Sequence, residues 1–558
     1  MSIVECVPNF SEGRNTAAID QITQAISGVD GVVLLDVDPG QATNRTVATL
    51  VGEPDAVLEA AFQAIKTAGE VLDMRTHEGE HGRIGATDVC PFVPVSGITM
   101  EECAELARKL GKRVGKELGI PVYLYEHAAS RPERQNLADV RKGDYEGLAE
   151  KIKDSEWKPD FGPAEFNAKS GATVIGAREF LIAYNVNLNT RDRRLASDIA
   201  LDIREAGRAK RDAKGVIMRQ PDGTSIKVPG KLKAVKGVGW FIEEYDRAQV
   251  SMNLVDYNTT GVHEAFDAID QEAQMRGLRA TGSELVGLIP LKAVLDAGRH
   301  YLRKQGKSTG IPERQIVETA IQSLCLNEIT PFDPDEKIIE YRLAREHGDK
   351  LLVSRSVTGF VDELSGDSPA PGGGSVAALC GSLAAGLASM VANLTVGRKG
   401  QEDVWEEMIR VAEEAQAQKD FYLCAVDEDT EAFNAVMSAI RMKAESDEEK
   451  KQKADAMWDA SRGATLVPLS VLERTLQTLS LARKVADKGN PNSLSDAGVA
   501  GLAAMTAAEG AYYNVLINLG GMDENDWTDK TRTEAQNFVT RARTEAHDLA
   551  RSVEERLT

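Results

Sequence analysis

The run from His77 to Asp88, HEGEHGRIGATD, concentrates two histidines, an arginine and several carboxylates in one short segment. Its first five residues match the H-E-x-x-H pattern, in which a helix aims two imidazoles at one zinc ion. Gly79, Gly82 and Gly85 interrupt the run, and each glycine costs about 1 kcal/mol relative to alanine inside a helix. The spacing therefore predicts a glycine-rich loop between a helix and a strand, and it argues against a zinc protease. Such a loop suits acid–base chemistry on a bound small molecule.

His81 is the leading candidate for that chemistry, because an imidazole exchanges a proton near neutral pH. The alternative is a solvent-exposed or locally hydrogen-bonded loop histidine, which is how we interpret His77. Asp36 and Asp38 follow a predicted strand and could orient the base or a substrate amine, although turn capping explains them too. Arg45 comes shortly afterwards and could donate to a carboxylate.

Two further segments of the first half are unusually polar. The loop from Phe161 to Gly171 is rich in glycine and aromatic residues. The run from Arg178 to Leu188 predicts a strand with Asn185 and Asn187 on one face, since side chains alternate along a strand. Their carboxamides could hydrogen-bond the edge of a heterocycle. An edge strand with a solvated face remains the alternative.

In the last third of the chain, the run SPAPGGGS at 368–375 opens a predicted helix. Free N–H groups and the helix dipole make this an anion or carbonyl site, unless Ser375 is simply a helix cap. Asp427 and Asp429 lie on another predicted helix, and because they are two residues apart at most one points into a bundle. A buried carboxyl there would have a raised pKa and could protonate a leaving group. Asp496 is the next candidate for the same role.

The elements that must position these residues fall into two architectures. Up to about residue 325, predicted strands and helices alternate as two similar β-α-β-β-α-β subdomains of α/β (α+β) type, with an expected cleft between them. Residues 209–229 predict a surface hairpin. Two prolines at 331 and 334 mark a boundary. From about residue 340 only long Ala- and Leu-rich helical patterns follow, which predict an all-α bundle. The predicted domains are 1–178, 179–330, a linker at 331–350, and 351–558.

Composition narrows the class of protein. The chain has 558 residues, 42% of them apolar, and a net charge of −21, which argues against a nucleic-acid or anionic-membrane surface. Six scattered cysteines suit buried thiols in a reducing compartment. The start of the chain lacks the pattern of a signal sequence, so a cytoplasmic location is expected. Residues 375–395 are long enough for a membrane span, but their small residues favour a packed bundle helix.

Several of these segments together resemble a known family. The runs ECVPNFSEG at 5–13, NRTV at 44–47, DVCPF at 88–92 and FGP at 161–163 resemble glutamate formiminotransferase. The runs APGGGS at 370–375, DEDTEAF at 427–433 and YNVLIN at 513–518 resemble formiminotetrahydrofolate cyclodeaminase. In order and spacing the whole chain is similar to the bifunctional formimidoyltransferase-cyclodeaminase family. The hairpin at 209–229 is the clear departure from the vertebrate form.

The resemblance implies two reactions. The formimino group of N-formimino-L-glutamate passes to N5 of tetrahydrofolate, and 5-formiminotetrahydrofolate then closes to 5,10-methenyltetrahydrofolate with loss of ammonia. The alternative is a glutamate formyltransferase paired with a methenyltetrahydrofolate cyclohydrolase. Tetrahydrofolate, polyglutamylated, is the expected co-substrate, without a metal. The family also implies a homo-octamer, with neither a nucleic-acid partner nor a membrane span.

The resemblance also assigns residues. It places the transferase histidine on His81 and the cyclodeaminase aspartate in the box that holds Asp427 and Asp429, of which Asp429 is the choice. Asp38 is added as a catalytic candidate from its position after a predicted strand. The family's folate-binding loop falls on Gly162, Pro163, Ala164, Glu165, Phe166, Asn167, Ala168, Lys169, Ser170 and Gly171. The further substrate-binding candidates, which come from the patterns above, are Arg45, Arg178, Asn185, Asn187, Gly373, Gly374 and Ser375.

Overall fold

The computed structural model describes residues 2–40, 44–79, 82–243, 245–347, 351–368 and 370–558. The chain divides into two compact units. The first comprises the residues up to Arg279 together with Leu285–Pro290, and the second comprises Ala280–Glu284 and Leu291–Thr558.

The first unit begins with a mixed sheet of seven strands in the described chain. The strands and helices of this part, in order, are β1 (Ile3–Cys6), β2 (Asn9–Phe10), α1 (Thr16–Ser27), β3 (Val32–Gly40), β4 (Arg45–Gly52), α2 (Pro54–Val71), β5 (Thr87–Ser96), α3 (Met100–Glu117), β6 (Val122–Glu126), α4 (Leu137–Arg141), α5 (Asp144–Lys151) and β7 (Thr173–Ala177). β1 and β2 lie between β4 and β5 and pair antiparallel with both. β3 pairs with the outer side of β4, while β5, β7 and β6 run parallel.

Apolar side chains of α1, α2 and α3 cover one face of this sheet. The buried residues of each helix recur at helical spacing, for example Ala18, Ile22 and Ile26 of α1. They join the sheet residues Val4, Leu50 and others in a single core. A smaller core that includes Tyr123 and Val174 packs against α4 and α5. The sheet is therefore buried on both faces around the strands that hold the predicted site.

The second subdomain has the order of strands and helices that the sequence predicts. Its elements are β8 (Ile182–Leu188), α6 (Arg193–Ile203), β9 (Arg208–Ala209), β10 (Lys227–Val228), β11 (Val235–Ile242), β12 (Arg247–Leu254), α7 (Val262–Met275) and β13 (Ala280–Val286). β12 pairs antiparallel with both β11 and β8. β9 and β10 pair at the base of an exposed extension, which confirms the predicted surface hairpin at 209–229. The predicted fold class is confirmed.

Two strands of the central sheet were not predicted, the two-residue β2 and β7. β7, with the sequence TVIGA, is fully buried between β5 and β6. The strand predicted from Arg178 to Leu188 in fact begins at Ile182. Arg178 therefore lies in the connection between the two sheets rather than within a strand. The continuous β-branched run of β7 is the signal that could have revealed it.

Apart from Ala280–Glu284 of β13, the second unit is helical. Its helices are α8 (Leu291–Lys304), α9 (Glu313–Ser323), α10 (Pro334–Lys337), α11 (Ile339–His347), α12 (Val357–Leu364), α13 (Gly373–Asn393), α14 (Trp405–Arg441), α15 (Asp447–Lys488), α16 (Leu494–Gly520) and α17 (Asp526–Leu557). α13 to α17 enclose two apolar cores built largely from alanine, valine and leucine. These helices confirm the predicted bundle.

The segment predicted as a linker contains structure. α10 and α11 occupy most of 331–347, and both Ile338 between them and Ile339 at the start of α11 are fully buried. The loop before α9 also belongs to this unit. The Gly310 carbonyl accepts hydrogen bonds from Ser389 Oγ at 3.1 Å and from Asn393 Nδ2 at 2.7 Å, both on α13.

The cysteines depart from the expectation of buried thiols. Cys6, Cys90 and Cys103 are buried, but Cys325 and Cys424 are exposed, because apolar neighbours in sequence do not decide which side of a helix or turn faces the core. Cys6 and Cys90 have their sulfur atoms 3.5 Å apart on neighbouring strands.

Among the described residues, one helix is long and apolar enough to cross a membrane by length and composition alone. This is α13, and 61% of its apolar window is buried within the protein. Ala378, Ala384 and Ala388 lie in the two bundle cores. Packing of small residues against neighbouring helices accounts for its composition.

Candidate active sites

The glycine-rich run is not helical where the structure describes it. α2 ends at Val71, and residues 77–79 and 82–84 adopt no regular structure before the isolated bridge at Gly85. This confirms the predicted loop for the described residues. Glu80 and His81 lie outside the described residues, so the catalytic assignment of His81 remains a prediction.

His77 has both ring nitrogens engaged. Its Nδ1 accepts a hydrogen bond from Arg83 Nε at 3.1 Å, and its Nε2 lies 2.9 Å from the Asn44 carbonyl oxygen. Because guanidinium nitrogens only donate, Nδ1 must be the acceptor and Nε2 carries the proton. Arg83 is held in turn by Glu146, at 2.8 Å. His77 therefore fixes the loop and has no nitrogen available for a substrate.

The predicted folate loop lies directly against the glycine-rich loop. Gly85 and Gly171 form an antiparallel bridge, and the Ala86 N–H donates to the Ser170 carbonyl at 2.8 Å. A Cβ atom on Gly171 would overlap the Ile84 carbonyl, and its φ of +68° favours glycine. The sequence therefore places glycines where the two predicted segments meet.

The folate loop is an exposed surface with an aromatic side. Residues 162–166 are exposed, and the Phe166 ring lies 5.4 Å from that of Tyr145. Asn167 closes the far end, where its Oδ1 accepts from the Ser170 N–H at 3.0 Å. The loop thus has a fixed base and an accessible face.

Asp88 connects the glycine-rich loop to two arginines. Its carboxylate is 1% exposed and pairs with Arg45 at 3.0 Å and with Arg141. The Ile84 N–H donates to the same carboxylate at 3.1 Å. Arg45 Nε also donates to Asn9 Oδ1 at 2.9 Å. Burial lowers the pKa of Arg45 and the neighbouring Asp88 opposes that effect. Both guanidinium groups are therefore held rigidly at the base of the loop.

These arginines open onto a cavity of about 460 Å³ between the two sheets of the first unit. Its charged and titratable lining side chains are Arg45, Arg141, Arg178, Lys236, Glu126, Glu179 and His127. Residues from both subdomains contribute, as expected for a cleft between them. Four cationic side chains against two acidic ones suit a ligand with more than one carboxylate.

A smaller cavity of about 220 Å³ shares Arg178 and Leu181 with the larger one. Glu5 lines it and is only 4% exposed. Burial raises the pKa of Glu5 to about 7, and the nearby Arg178 opposes this shift. Glu5 has neither a side-chain hydrogen bond nor an ion pair among the described residues.

Several predicted site residues are not brought to the larger cavity. Asn187 is fully buried within the second sheet, where its Oδ1 accepts from Gln249 Nε2 at 2.9 Å. Asn185 is also buried, at 5% exposure. β8 is not an edge strand with a solvated face, since it is an inner strand of its sheet and both carboxamides are buried. Asp38 is exposed near the end of β3, opposite Val47.

Sequence reasoning missed three residues of the larger cavity. Arg141 ends the short helix α4, His127 follows β6, and Lys236 lies on β11. Each belongs to a different stretch of chain and to no recognisable motif. The sequence therefore did not predict that the cavity has a predominantly basic lining.

In the helical bundle, the structure brings two predicted segments together. The Asp429 carboxyl of α14 lies at the N-terminus of α13, where Ser375 Oγ donates to its Oδ2 at 2.9 Å. A Cβ atom on Gly374 would overlap this carboxyl, so only glycine allows the approach. Burial raises the pKa of Asp429, while the Ser375 hydroxyl and N–H oppose that shift. Gly373 is exposed beside them. The helix terminus thus receives a carboxylate of the protein itself.

Asp427 points elsewhere. Its Oδ1 accepts a hydrogen bond from the Leu352 N–H at 2.6 Å. It therefore anchors the turn before α12, as expected for residues two apart on a helix. Asp496 lies in the first turn of α16.

Comparison with known proteins matches three successive parts of the chain. Residues 3–178 match the formiminotransferase domain, N-terminal subdomain; residues 183–344 match the formiminotransferase domain; and residues 356–537 match formiminotransferase-cyclodeaminase. Formimidoyltransferase-cyclodeaminase from Rattus norvegicus is 44% identical over 555 residues, which cover 99% of each chain.

Two shorter relatives match separate parts. Glutamate formimidoyltransferase from Thermoplasma acidophilum is 46% identical over 57% of this chain and 99% of its own. Methenyltetrahydrofolate cyclohydrolase from Methylorubrum extorquens is 35% identical over 34% of this chain and 92% of its own. An α/β region with a basic cavity and a helical bundle with a buried acid thus make this chain a bifunctional enzyme. It belongs to the formimidoyltransferase-cyclodeaminase family.

Proposed function

We propose that this enzyme transfers the formimino group of N-formimino-L-glutamate to N5 of tetrahydrofolate and then cyclises the product to 5,10-methenyltetrahydrofolate, releasing ammonia. The observation that carries the transfer step is the basic cavity with Arg45 and Arg141 held by Asp88. Those guanidinium groups suit the two carboxylates of the donor, and Arg178 and Lys236 extend the basic lining.

For the transfer, a base must take the N5 proton and an acid must return one to the departing glutamate nitrogen. We assign both tasks to His81, since one imidazole can perform them in turn. Asp38 is proposed to orient the base or the N5 amine. The exposed loop from Gly162 to Gly171 is proposed to hold folate, with Phe166 against its flat rings. The contact between Gly85 and Gly171 supports this arrangement, because it keeps the two loops adjacent.

For cyclisation, N10 attacks the formimino carbon and its proton passes to the formimino nitrogen. Asp429 then gives a proton to that nitrogen, the carbon–nitrogen bond breaks, and ammonia leaves with the electron pair. The methenyl cation remains. The raised pKa of Asp429 supports this role, since burial favours the protonated acid that the step requires.

The test of the two steps uses a matched pair of variants. Asp429→Asn keeps the shape of the side chain but supplies no proton, so cyclisation should fall by a factor on the order of 10² to 10⁴. Formimino transfer should continue and 5-formiminotetrahydrofolate should accumulate. Asp427→Asn is the control, because it should only weaken the bond to Leu352. If the control variant loses cyclisation and Asp429→Asn retains it, the acid is wrongly assigned.

The alternative is a glutamate formyltransferase paired with a methenyltetrahydrofolate cyclohydrolase, which the relative from Methylorubrum extorquens makes worth testing. Identity over the whole chain favours the formimino donor, because the cyclohydrolase matches only 34% of it. The two donors differ by one atom, NH for O. Formation of the methenyl absorbance from tetrahydrofolate with formiminoglutamate, but not with formylglutamate, would distinguish them.

Finer properties follow the family resemblance. We propose a cytoplasmic homo-octamer that uses polyglutamylated tetrahydrofolate without a metal, with domains at 1–178, 179–330 and 351–558. Sedimentation of the purified enzyme tests the assembly. Comparison of KM for folates with one and with several glutamates tests the tail preference.

A further inference from the structure

The hydrogen bonds at Asp429 distinguish its two carboxyl oxygens. Oδ2 accepts from Ser375 Oγ at 2.9 Å, and the Ser375 side chain is completely buried. Thr430 Oγ1 lies 3.5 Å from the same Ser375 hydroxyl. The Ser375 N–H also favours the ionised carboxyl and so acts to lower the pKa of Asp429. Oδ1 is therefore the oxygen that the Ser375 hydroxyl leaves open.

The surroundings of Asp429 are otherwise uncharged. In the described part of the chain, burial and the two Ser375 donors account for the shift in its pKa, and charged side chains do not contribute. α13 presents Gly374 and Ser375 to it, α14 adds Thr430, and Asn514 of α16 approaches the neighbouring Gly373. Among the described residues, Ser375 is thus the one side chain that hydrogen-bonds this carboxyl.

We propose that Ser375 is a positioning residue for the cyclisation step: its hydroxyl occupies Oδ2 of Asp429, so that the transferable proton is carried on Oδ1. This proposal rests on the proposed role of Asp429 as the acid. As the Oδ1–H bond breaks and the new N–H bond forms on the leaving nitrogen, negative charge develops on the carboxylate. The bond from Ser375 strengthens with that charge, because hydrogen bonds to ionised groups are the stronger ones.

This role differs from the folate contact that the sequence predicts for Ser375. A completely buried hydroxyl directed at a carboxyl of another helix has no exposed surface for a folate ring. The two roles also predict different kinetics. Loss of a folate contact raises KM, whereas loss of the donor to Asp429 changes the pH dependence of turnover.

The test is the pH profile of cyclisation, measured on pre-made 5-formiminotetrahydrofolate with the full-length Ser375→Ala variant. Activity that needs protonated Asp429 falls as pH rises through its pKa. Without the hydroxyl donor the Asp429 carboxylate is less stable, so the pKa of Asp429 rises. The part of the profile where activity falls with rising pH, its alkaline limb, should therefore move to higher pH. One hydrogen bond to a charged group corresponds to a shift of about one to two pH units.

Ser382→Ala is the matched control. Ser382 is a buried serine on the same helix, and its hydroxyl donates to the Lys419 carbonyl of α14 at 3.2 Å. It should leave the limb in place. Ser375→Thr retains a hydroxyl and should keep the wild-type limb even if its rate is lower. Formimino transfer and the circular dichroism of each preparation report whether the chain is folded.

A limb that stays in place in Ser375→Ala, with activity reduced equally at every pH or with only KM raised, would overturn the proposal. Failure of the underlying function has a different signature. In that case Asp429→Asn itself would still cyclise the substrate. If Asp429→Asn is inactive and the pH profile of Ser375→Ala does not shift, the role of Asp429 stands and only the proposed role of Ser375 is refuted.

Discussion

Glu5 makes the stability of the first unit depend on pH in a direction that can be measured. Its carboxyl lies on β1, 4% exposed, and Arg178 is the charged neighbour that opposes the effect of burial. Burial raises its pKa from 4.5 to about 7. The folded chain therefore keeps its proton at pH values where the unfolded chain has lost it.

The sign and size follow from proton linkage. As pH rises from below 4.5, the unfolded state ionises first and gains free energy relative to the folded state, so stability falls until both forms are ionised. A rise of the pKa from 4.5 to about 7 corresponds to about 3 kcal/mol of lost stability, most of which develops between pH 5 and pH 8. Glu5→Gln removes the ionisation and should remove that loss.

The assay is urea unfolding of wild type and Glu5→Gln at pH 5 and at pH 8, followed by a probe in the first unit. The quantity compared is the change in unfolding free energy between the two pH values, so any packing effect of glutamine cancels. Asp36→Asn is the matched control, because Asp36 lines the same small cavity but is exposed. If wild type and Glu5→Gln lose the same stability between pH 5 and pH 8, the argument from burial is refuted.

Three further outcomes are expected. His81→Ala should abolish formimino transfer and spare cyclisation of pre-made 5-formiminotetrahydrofolate. His77→Ala should lower transfer only mildly, since His77 fixes the loop through Arg83. Near-normal transfer by His81→Ala would show that the base lies elsewhere. Chelators should leave both activities unchanged, and stoichiometric zinc whose removal inactivates the purified enzyme would contradict this. Cutting the chain between 333 and 335 should give two pieces, each with its own activity when measured separately. The bundle piece should melt at a lower temperature than the bundle of the intact chain, because it loses the Gly310 carbonyl that Ser389 and Asn393 bind. Insolubility of either piece when expressed alone would show that the boundary is wrong.

Local patterns predicted most of the elements and their order. The glycines at 79, 82 and 85 predicted a loop because each disfavours a helix, and residues 77–79 and 82–84 are indeed irregular. Alternating and helical periodicities predicted the two α/β subdomains and the bundle, since hydrophobic spacing reflects which side of an element is buried. β7 was not predicted, because a short apolar run without alternation does not distinguish a buried strand from a buried helical or irregular segment.

The sites depended on contacts between distant parts of the chain. Asp88 meets arginines 43 and 53 residues away, and their meeting makes one end of the larger cavity basic. Asn185 and Asn187 were predicted to bind a heterocycle, but the pairing of β8 with β12 places them inside the second sheet. Sequence shows that two side chains share a strand face, but not what the neighbouring strands bring to that face.

Asp427 and Asp429 in the bundle show the same difference between what the sequence determines and what the tertiary structure decides. Helical geometry alone determined that Asp427 and Asp429 point in different directions. Which of them approaches Gly374 depended on the packing of α13 against α14, across 54 residues of chain between Ser375 and Asp429. Periodicity is a property of one segment, whereas a site requires two or more segments to meet, and that meeting is decided only when the whole core is packed.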